Sequence, residues 1–165
     1  MDKKLKEAIS STFKQRKKPD IITNYYNRLS GSDLKGVDGI WSCDWNHLSN
    51  LELQKYKNAL MFLNPSAYVA LAPKLMISAL ENPHHLHSDN LVGFFLDSLS
   101  AQEPYFTTYI KNQYSLFRPK ELTVVKSWIG WAEKAEQEIS EKYNFRFQEE
   151  AFVRAKKNID SLILG

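Results

Sequence analysis

One apolar segment near the middle of the chain constrains the fold more than any other. Between residues 66 and 80 only Ser66, Lys74 and Ser78 are polar. Apolar residues recur there at the three- and four-residue spacing of a helix face, and the opposite face is apolar too. A helix that is apolar on nearly all sides belongs in a protein interior. The segment therefore predicts a buried central helix over residues 65–81.

Polar and proline residues predict where this helix begins and how it runs. Asn64 can accept a backbone N–H as a capping residue, and Pro65 suits the first helical position, where its missing N–H costs nothing. Pro73 lies inside the pattern and removes one backbone hydrogen bond. The sequence thus predicts either a kink at Pro73 or two abutting helices.

The composition favours one helical domain. The chain has 165 residues, of which 43% are hydrophobic and 13% aromatic, so a substantial core is available. Alternating β-branched residues and Asn-Gly turns, which are typical of strands, are absent from the sequence. We therefore expect an all-α single domain over residues 1–165, a compact bundle of about six to eight helices around the central helix.

Apolar periodicity predicts several further helices clearly and leaves other segments without a clear pattern. Helices are expected over residues 3–16, 48–63, 91–99 and 119–142, and from about Phe147 onward. Gly31, Gly36 and Gly39 favour a loop over residues 30–40 with at most one helical turn. Residues 82–90 are a polar break, and the aromatic segment 101–118 fits either one helix or two turns. Trp41 and Trp45 are expected to dock on the core.

Several features favour a cytoplasmic protein. Cys43 is the single cysteine, so no internal disulfide can form, which fits a reducing compartment. The first residues are charged and lack the apolar core of a secretory signal. No apolar run approaches the roughly 20 residues that span a bilayer. The net charge of +3 neither requires nor excludes a nucleic-acid partner.

The block FLNPSAYVALAPKLMISAL, residues 62–80, resembles the core block of a family of small bacterial helical proteins of unknown function. The resemblance covers residues 5–135, with Trp45 and the helix 121–131 as further matches. Asn64 replaces the family's usual threonine, and Leu71-Ala72 replaces an aromatic-leucine pair. Such proteins are similar to the immunity proteins that accompany bacterial toxins, so the resemblance implies a toxin inhibitor. The positions in register are Leu63, Pro65, Ala67, Tyr68, Pro73, Leu75 and Leu80.

Two clusters could carry chemistry, and each has a simpler interpretation. His84, His85 and His87, followed by Asp89, are zinc-ligating residue types, but adjacent histidines on a turn commonly diverge. A solvated loop is the favoured interpretation, and no metal or cofactor is expected.

Cys43 would need a base to act as a nucleophile, and His47 lies four residues further on. The alternative, which the sequence favours, is a small buried residue beside the tryptophans. No glycine-rich phosphate loop or hydrolase motif is present. We therefore expect a non-catalytic protein, and an enzyme with an unrecognised site remains an alternative.

Charge is distributed unevenly along the chain. Residues 1–18 hold seven Lys or Arg residues, whereas residues 75–110 hold none and include four Asp or Glu residues. Aromatic anchors beside charged groups are typical of protein interfaces. We therefore predict a partner-binding face for a basic protein such as a toxin domain, formed by Asp89, Asp97, Glu103, Tyr105 and Tyr109. The alternative is a nucleic-acid-associated or regulatory protein that uses the basic residues 3–18.

Overall fold

Helices account for nearly all the regular structure of this chain. The computed structural model describes residues 2–87 and 89–164, and the side chain of Tyr109 lies outside that description. Over the described residues the chain is 72% helical, has no strand and contains six helices of seven or more residues. The prediction of an all-α fold is confirmed. None of the helices in this part of the chain is long and apolar enough to cross a membrane.

Short irregular helices join the longer ones. Three 3₁₀ segments lie at Tyr26–Arg28, Lys57–Phe62 and Pro83–Leu86, and a π-helical turn spans Phe106–Ile110. The α-helices are α1 (Lys3–Thr12), α2 (Gly31–Ser42), α3 (Asn50–Lys55), α4 (Pro65–Glu81), α5 (Leu91–Leu99), α6 (Lys111–Gln113), α7 (Pro119–Tyr143) and α8 (Glu149–Leu164).

The central helix α4 has the predicted bounds. Asn64 Oδ1 accepts a hydrogen bond from the backbone N–H of Ala67 at 2.9 Å, and Pro65 occupies the first turn. The helix continues through Pro73 to Glu81, so the alternative of two abutting helices is wrong. Most of its side chains are buried, including Tyr68, Leu71 and Leu75. The helix is thus packed against other parts of the protein on nearly all of its sides, as its apolar sequence predicted.

One continuous apolar core surrounds α4. It extends from Ile9 of α1 to Ile159 of α8 and includes Trp128 of α7, which is 0% exposed. Helix α7 packs against α1 and α8, and α5 contacts both α4 and α8. This arrangement places α5 between the core and the surface on which the candidate site lies.

The loop predicted over residues 30–40 is wrong, because α2 occupies most of it and buries Val37 and Ile40. Gly31 begins the helix with a φ of +57°. Gly39 lies so close to the ring of Tyr56 that a Cβ would come within 2.0 Å of Cε1. Gly39 therefore permits a close helix contact, whereas glycine in a sequence is more often the mark of a turn.

The single helix predicted over residues 48–63 is also wrong. Helix α3 ends at Lys55, Tyr56 adopts φ −107° and ψ 19°, and a 3₁₀ segment follows. The tighter turn directs Ala59 and Leu60 into the core. The chain gains apolar burial there at the expense of regular α-helical hydrogen bonding.

Smaller differences occur at the ends of elements. Helix α1 ends at Thr12, four residues earlier than predicted, and α8 begins at Glu149. The aromatic segment 101–118 forms the π-helical turn and the short α6. Trp45 is 5% exposed and docks on the core as predicted, whereas Trp41 is 39% exposed.

The contact at Gly39 leads to a first prediction. Gly39→Ala should destabilise the protein by about 1–3 kcal/mol, because the new methyl group overlaps the Tyr56 ring. Gly130→Ala in α7 is the matched control: no atom lies within 4 Å of its added Cβ, so it should stabilise by about 0.5–1 kcal/mol. Urea unfolding of both variants measures the two effects. A gain in stability for both would contradict the close-packing explanation.

Candidate functional site

An open cleft lies on the side of the molecule formed by α5 and the segments around it. This apolar cleft has a volume of about 560 Å³. One wall consists of Asn24, Tyr25, Arg28, Leu29 and residues 60–65. Helix α5 contributes Phe94, Asp97 and Ser98, and the other wall consists of Tyr105, Ile110, Asn112 and Gln113. The volume is in the range of ordinary ligand and anchor sites, roughly 300–1,000 Å³.

The polar floor of the apolar cleft is a closed hydroxyl network. The Tyr68 hydroxyl oxygen lies 2.6 Å from Ser98 Oγ and 2.9 Å from the Tyr114 hydroxyl. Burial raises the pKa of Tyr68 to about 12, so this phenol stays protonated at neutral pH. The network satisfies its own buried hydrogen-bonding groups and supplies no general base.

Large apolar side chains stand exposed around the mouth of the cleft. Tyr25 is 46% exposed, Met61 is 55% exposed and Tyr105 is 44% exposed, and all three line the cleft. The π-helical turn Phe106–Ile110 follows Tyr105 directly, and such turns occur frequently at functional sites. Exposed aromatic and methionine side chains beside a cavity are typical of interaction surfaces.

A second, smaller cavity adjoins the first across α5. This acidic pocket has a volume of about 300 Å³ and is lined by the carboxylates of Asp89, Asp97 and Glu136. Phe94 and Asp97 line both cavities, so α5 forms the wall between them. The apolar cleft and the acidic pocket together make one candidate binding face.

Two of the three carboxylates in the acidic pocket, Asp97 and Glu136, have little compensating positive charge. Glu136 is 6% exposed, and burial, followed by the charge of Asp97, raises its pKa to about 7. Burial also raises the pKa of Asp97. His87 Nδ1 lies 3.8 Å from Glu136 Oε1, but burial and then the charge of His84 lower the pKa of His87. The imidazole is therefore largely neutral at pH 7 and offsets little of the negative charge.

The structure brings together some of the predicted partner-binding residues. Asp97 and Tyr105 line the apolar cleft, and Asp89 and Asp97 line the acidic pocket. Glu103 lines neither cavity, and its Oε2 accepts hydrogen bonds from the backbone and hydroxyl of Thr107. Tyr109 was part of the same prediction, and its side chain lies outside the described residues.

Residues beyond the acidic stretch complete the face. Asp89 forms an ion pair with Lys57, a cation contributed by the 3₁₀ segment that follows α3. Sequence reasoning missed Tyr25, Met61 and Glu136. The sequence did contain a signal that Glu136 is buried: it follows Ala132 by four positions and Ile129 by seven, which places it on the apolar face of α7.

The histidine cluster does not converge. Within the described part of the chain, no three histidine, cysteine or acidic side chains lie together in a way that could hold a metal ion. His85 is buried, with Nδ1 2.9 Å from Ser78 Oγ and Nε2 2.9 Å from Asn50 Oδ1. It therefore ties α4 to the start of α3.

The geometry around Cys43 does not resemble that of an activated nucleophile. The thiol donates to Gly39 O at 3.2 Å, and His47 Nδ1 lies 2.9 Å from Asp44 Oδ2. Burial, followed by a hydrogen bond with Glu52, raises the pKa of Cys43 to about 11. A reactive cysteine requires the opposite shift, because the thiolate is the nucleophile.

Several of the N-terminal cations have intramolecular partners. Lys6 forms an ion pair with Glu81 at 2.6 Å, and Arg16 forms one with Glu121 at 2.7 Å. Lys18 donates to the backbone oxygens of Trp41 and Cys43. These contacts reduce the positive charge that residues 3–18 could offer to a phosphate backbone.

Comparisons with family models, with curated proteins and with solved structures found no match to this chain. The resemblance of residues 62–80 to small bacterial helical proteins therefore stays a prediction.

Proposed function

We propose that this chain is a non-catalytic protein-binding module whose partner is a basic protein, and that it acts as an immunity protein that neutralises a toxin domain by covering its active surface. The observation that carries the proposal is the ring of exposed Tyr25, Met61 and Tyr105 around an open apolar cleft. The acidic pocket beside the cleft supports the choice of a positively charged partner.

The apolar cleft has the features of an anchor site. Hot spots in interfaces are apolar or aromatic side chains seated in desolvated pockets and surrounded by less important contacts. Leu60, Leu63 and Phe94 line the interior of this cleft, and Tyr25 and Tyr105 stand at its edge. An apolar side chain of the partner would gain burial from both the interior and the edge.

The carboxylates favour a partner of positive charge. Asp97 lines both cavities, and Glu136 lies on the far side of α5, whereas Asp89 there is already paired with Lys57. Such a field accelerates the encounter with a basic surface and orients it over the cleft. The proposal of toxin inhibition follows from the resemblance of residues 62–80 to immunity-like proteins, and a toxin that acts on nucleic acid would present a basic surface of this kind.

The test uses the product of the reading frame next to the gene for this chain, measured by surface plasmon resonance. Tyr105→Ala and Met61→Ala should each weaken binding by about tenfold or more, mostly through a faster off-rate. Tyr143→Ala is the control, because Tyr143 is also a tyrosine, 54% exposed, and lines neither cavity.

Charge reversal tests the contribution of the acidic residues to binding separately from that of the apolar cleft. Asp97→Lys together with Glu103→Lys should lower the on-rate several-fold at low salt, and added salt should reduce the difference. Equal affinities for the wild type and the Tyr105→Ala and Met61→Ala variants would remove the apolar cleft from the interface. Failure of the neighbouring product to bind at all would contradict the immunity assignment.

A further inference from the structure

The acidic pocket contains a buried carboxylate that has no Lys or Arg partner among the described residues. Glu136 is 6% exposed, and none of the described residues donates a hydrogen bond to it. Its nearest ionic contact within that part of the chain is His87 Nδ1, at 3.8 Å. A carboxylate that is nine-tenths buried normally has donors around it, because its desolvation is otherwise uncompensated.

Two cations near the pocket, Lys57 and Arg154, already have partners. Lys57 pairs with Asp89 at the edge of the pocket. Arg154 of α8 donates from Nε to Ser100 O at 3.2 Å, and its Nη1 lies 3.7 Å from Glu150 Oε2. Among the described residues, neither Asp97 nor Glu136 has an ion pair with Lys or Arg. The two carboxylates therefore face a cavity that a cation could enter.

The shape and the walls of the pocket restrict the kind of cation. The cavity of about 300 Å³ is lined by Phe94 and Phe152 as well as by the carboxylates. A guanidinium group is planar, carries donors in a fixed fork, stacks on aromatic faces and is less strongly hydrated than an ammonium group. A metal ion is not the expected cation, because no three His, Cys, Asp or Glu side chains among the described residues are placed to hold one.

We propose that the acidic pocket binds the guanidinium group of an arginine side chain that the partner protein inserts between Asp97 and Glu136. This inference rests on the proposed function, because it names the partner's residue at the same binding face. Asp97, which also lines the apolar cleft, receives the entering cation, and Glu136 at the buried end pairs with it. His87 lies beside Glu136 and contacts the ring of Phe145, with ring centroids 4.7 Å apart.

The test uses this chain alone with a capped pentapeptide that has one central arginine flanked by glycines. Two-dimensional NMR should show saturable shifts of the amides of α5 and of residues 134–138. Since the bound cation favours the ionised form, the pKa of Glu136, about 7 in the free chain, should fall on binding. Glu136→Gln should weaken peptide binding by about tenfold or more, because it removes the carboxylate that the bound cation would hold in its ionised form. Glu81→Gln, which alters an exposed carboxylate, is the control and should leave binding unchanged.

Other probes identify the cation and its source. The corresponding lysine peptide should bind several-fold more weakly, and equal binding would overturn the choice of guanidinium. Binding of free argininamide without binding of the arginine peptide would overturn a protein source. The absence of saturable shifts with the arginine peptide, or unchanged binding in Glu136→Gln, would overturn the pocket itself. Because these measurements need no partner, their failure would be distinct from a failure of the partner-binding assay.

Discussion

Replacing Glu121 by glutamine should destabilise the protein by about 3–5 kcal/mol, since it leaves the Arg16 guanidinium without its counter-charge in a largely buried place. The Glu121 side chain is 1% exposed and that of Arg16 is 18% exposed. Arg16 Nε and Nη2 each donate to a Glu121 carboxylate oxygen at 2.7 Å. Chemical denaturation monitored by circular dichroism measures the loss.

Glu121 also caps the start of α7. Its Oε2 accepts a hydrogen bond from the backbone N–H of Arg118 at 2.7 Å. The pair thus joins the segment after α1 to the first turn of α7, across 105 positions of sequence. Replacement of Glu121 therefore weakens a tertiary contact and a helix cap together, whereas replacement of Arg16 would affect the tertiary contact alone.

A surface ion pair provides the matched control. Lys6 and Glu81 are 2.6 Å apart but their side chains are 34% and 53% exposed. Glu81→Gln should cost less than about 1 kcal/mol, because solvent screens an exposed pair. A loss for Glu121→Gln no larger than that for Glu81→Gln would show that burial of the Arg16–Glu121 pair is energetically unimportant.

The effect of Glu121→Gln should depend on pH in a defined direction. Burial raises the pKa of Glu121. The hydrogen bonds and charge of Arg16 and the hydrogen bond from the Arg118 N–H lower that pKa by more than burial raises it, so the pKa in the folded state lies below the ordinary value. A depressed pKa contributes stability above the unfolded-state value, and that contribution is lost as the pH falls through the folded-state value. The difference between wild type and variant should therefore be greatest near neutral pH and shrink in acid.

Trp128→Ala should destabilise the protein by about 3–5 kcal/mol, the usual cost of removing a buried aromatic side chain. Trp128 is 0% exposed, and its ring centroid lies 5.5 Å from that of Phe95 in α5. Its Nε1 donates to Met76 O of α4 at 3.1 Å. The substitution leaves a cavity where three helices meet, and the shift in the urea unfolding midpoint measures the effect.

Trp41→Ala is the control for the same residue type at a surface position. Trp41 is 39% exposed, so its truncation should cost less than about 1.5 kcal/mol. A comparable loss at both positions would mean that the core between α4, α5 and α7 is less tightly packed than the structure indicates. A preserved unfolding slope in Trp128→Ala would confirm that the change lies in stability alone.

The sequence by itself determined the elements whose signals are local. Helix α4 follows from a continuous apolar stretch with Asn64 and Pro65 at its start, and α5 and α7 follow from their apolar faces. These features predict structure well because the cap and the helix face depend on residues only a few positions apart. The unbroken course of α4 through Pro73 was left open by the sequence and decided by the packing around it.

The tertiary structure alone decided the rest. Helix α2 was predicted to be a loop, since a sequence does not show that Gly39 lies against Tyr56. Asp97 and Glu136 line one cavity although they belong to different helices, α5 and α7, and are far apart in sequence, so no local pattern could predict that they share it. Long-range packing determines which side chains share a cavity. The hydrophobic effect that drives it is non-directional, so a local apolar pattern shows which face of a helix is buried but not which element will cover it.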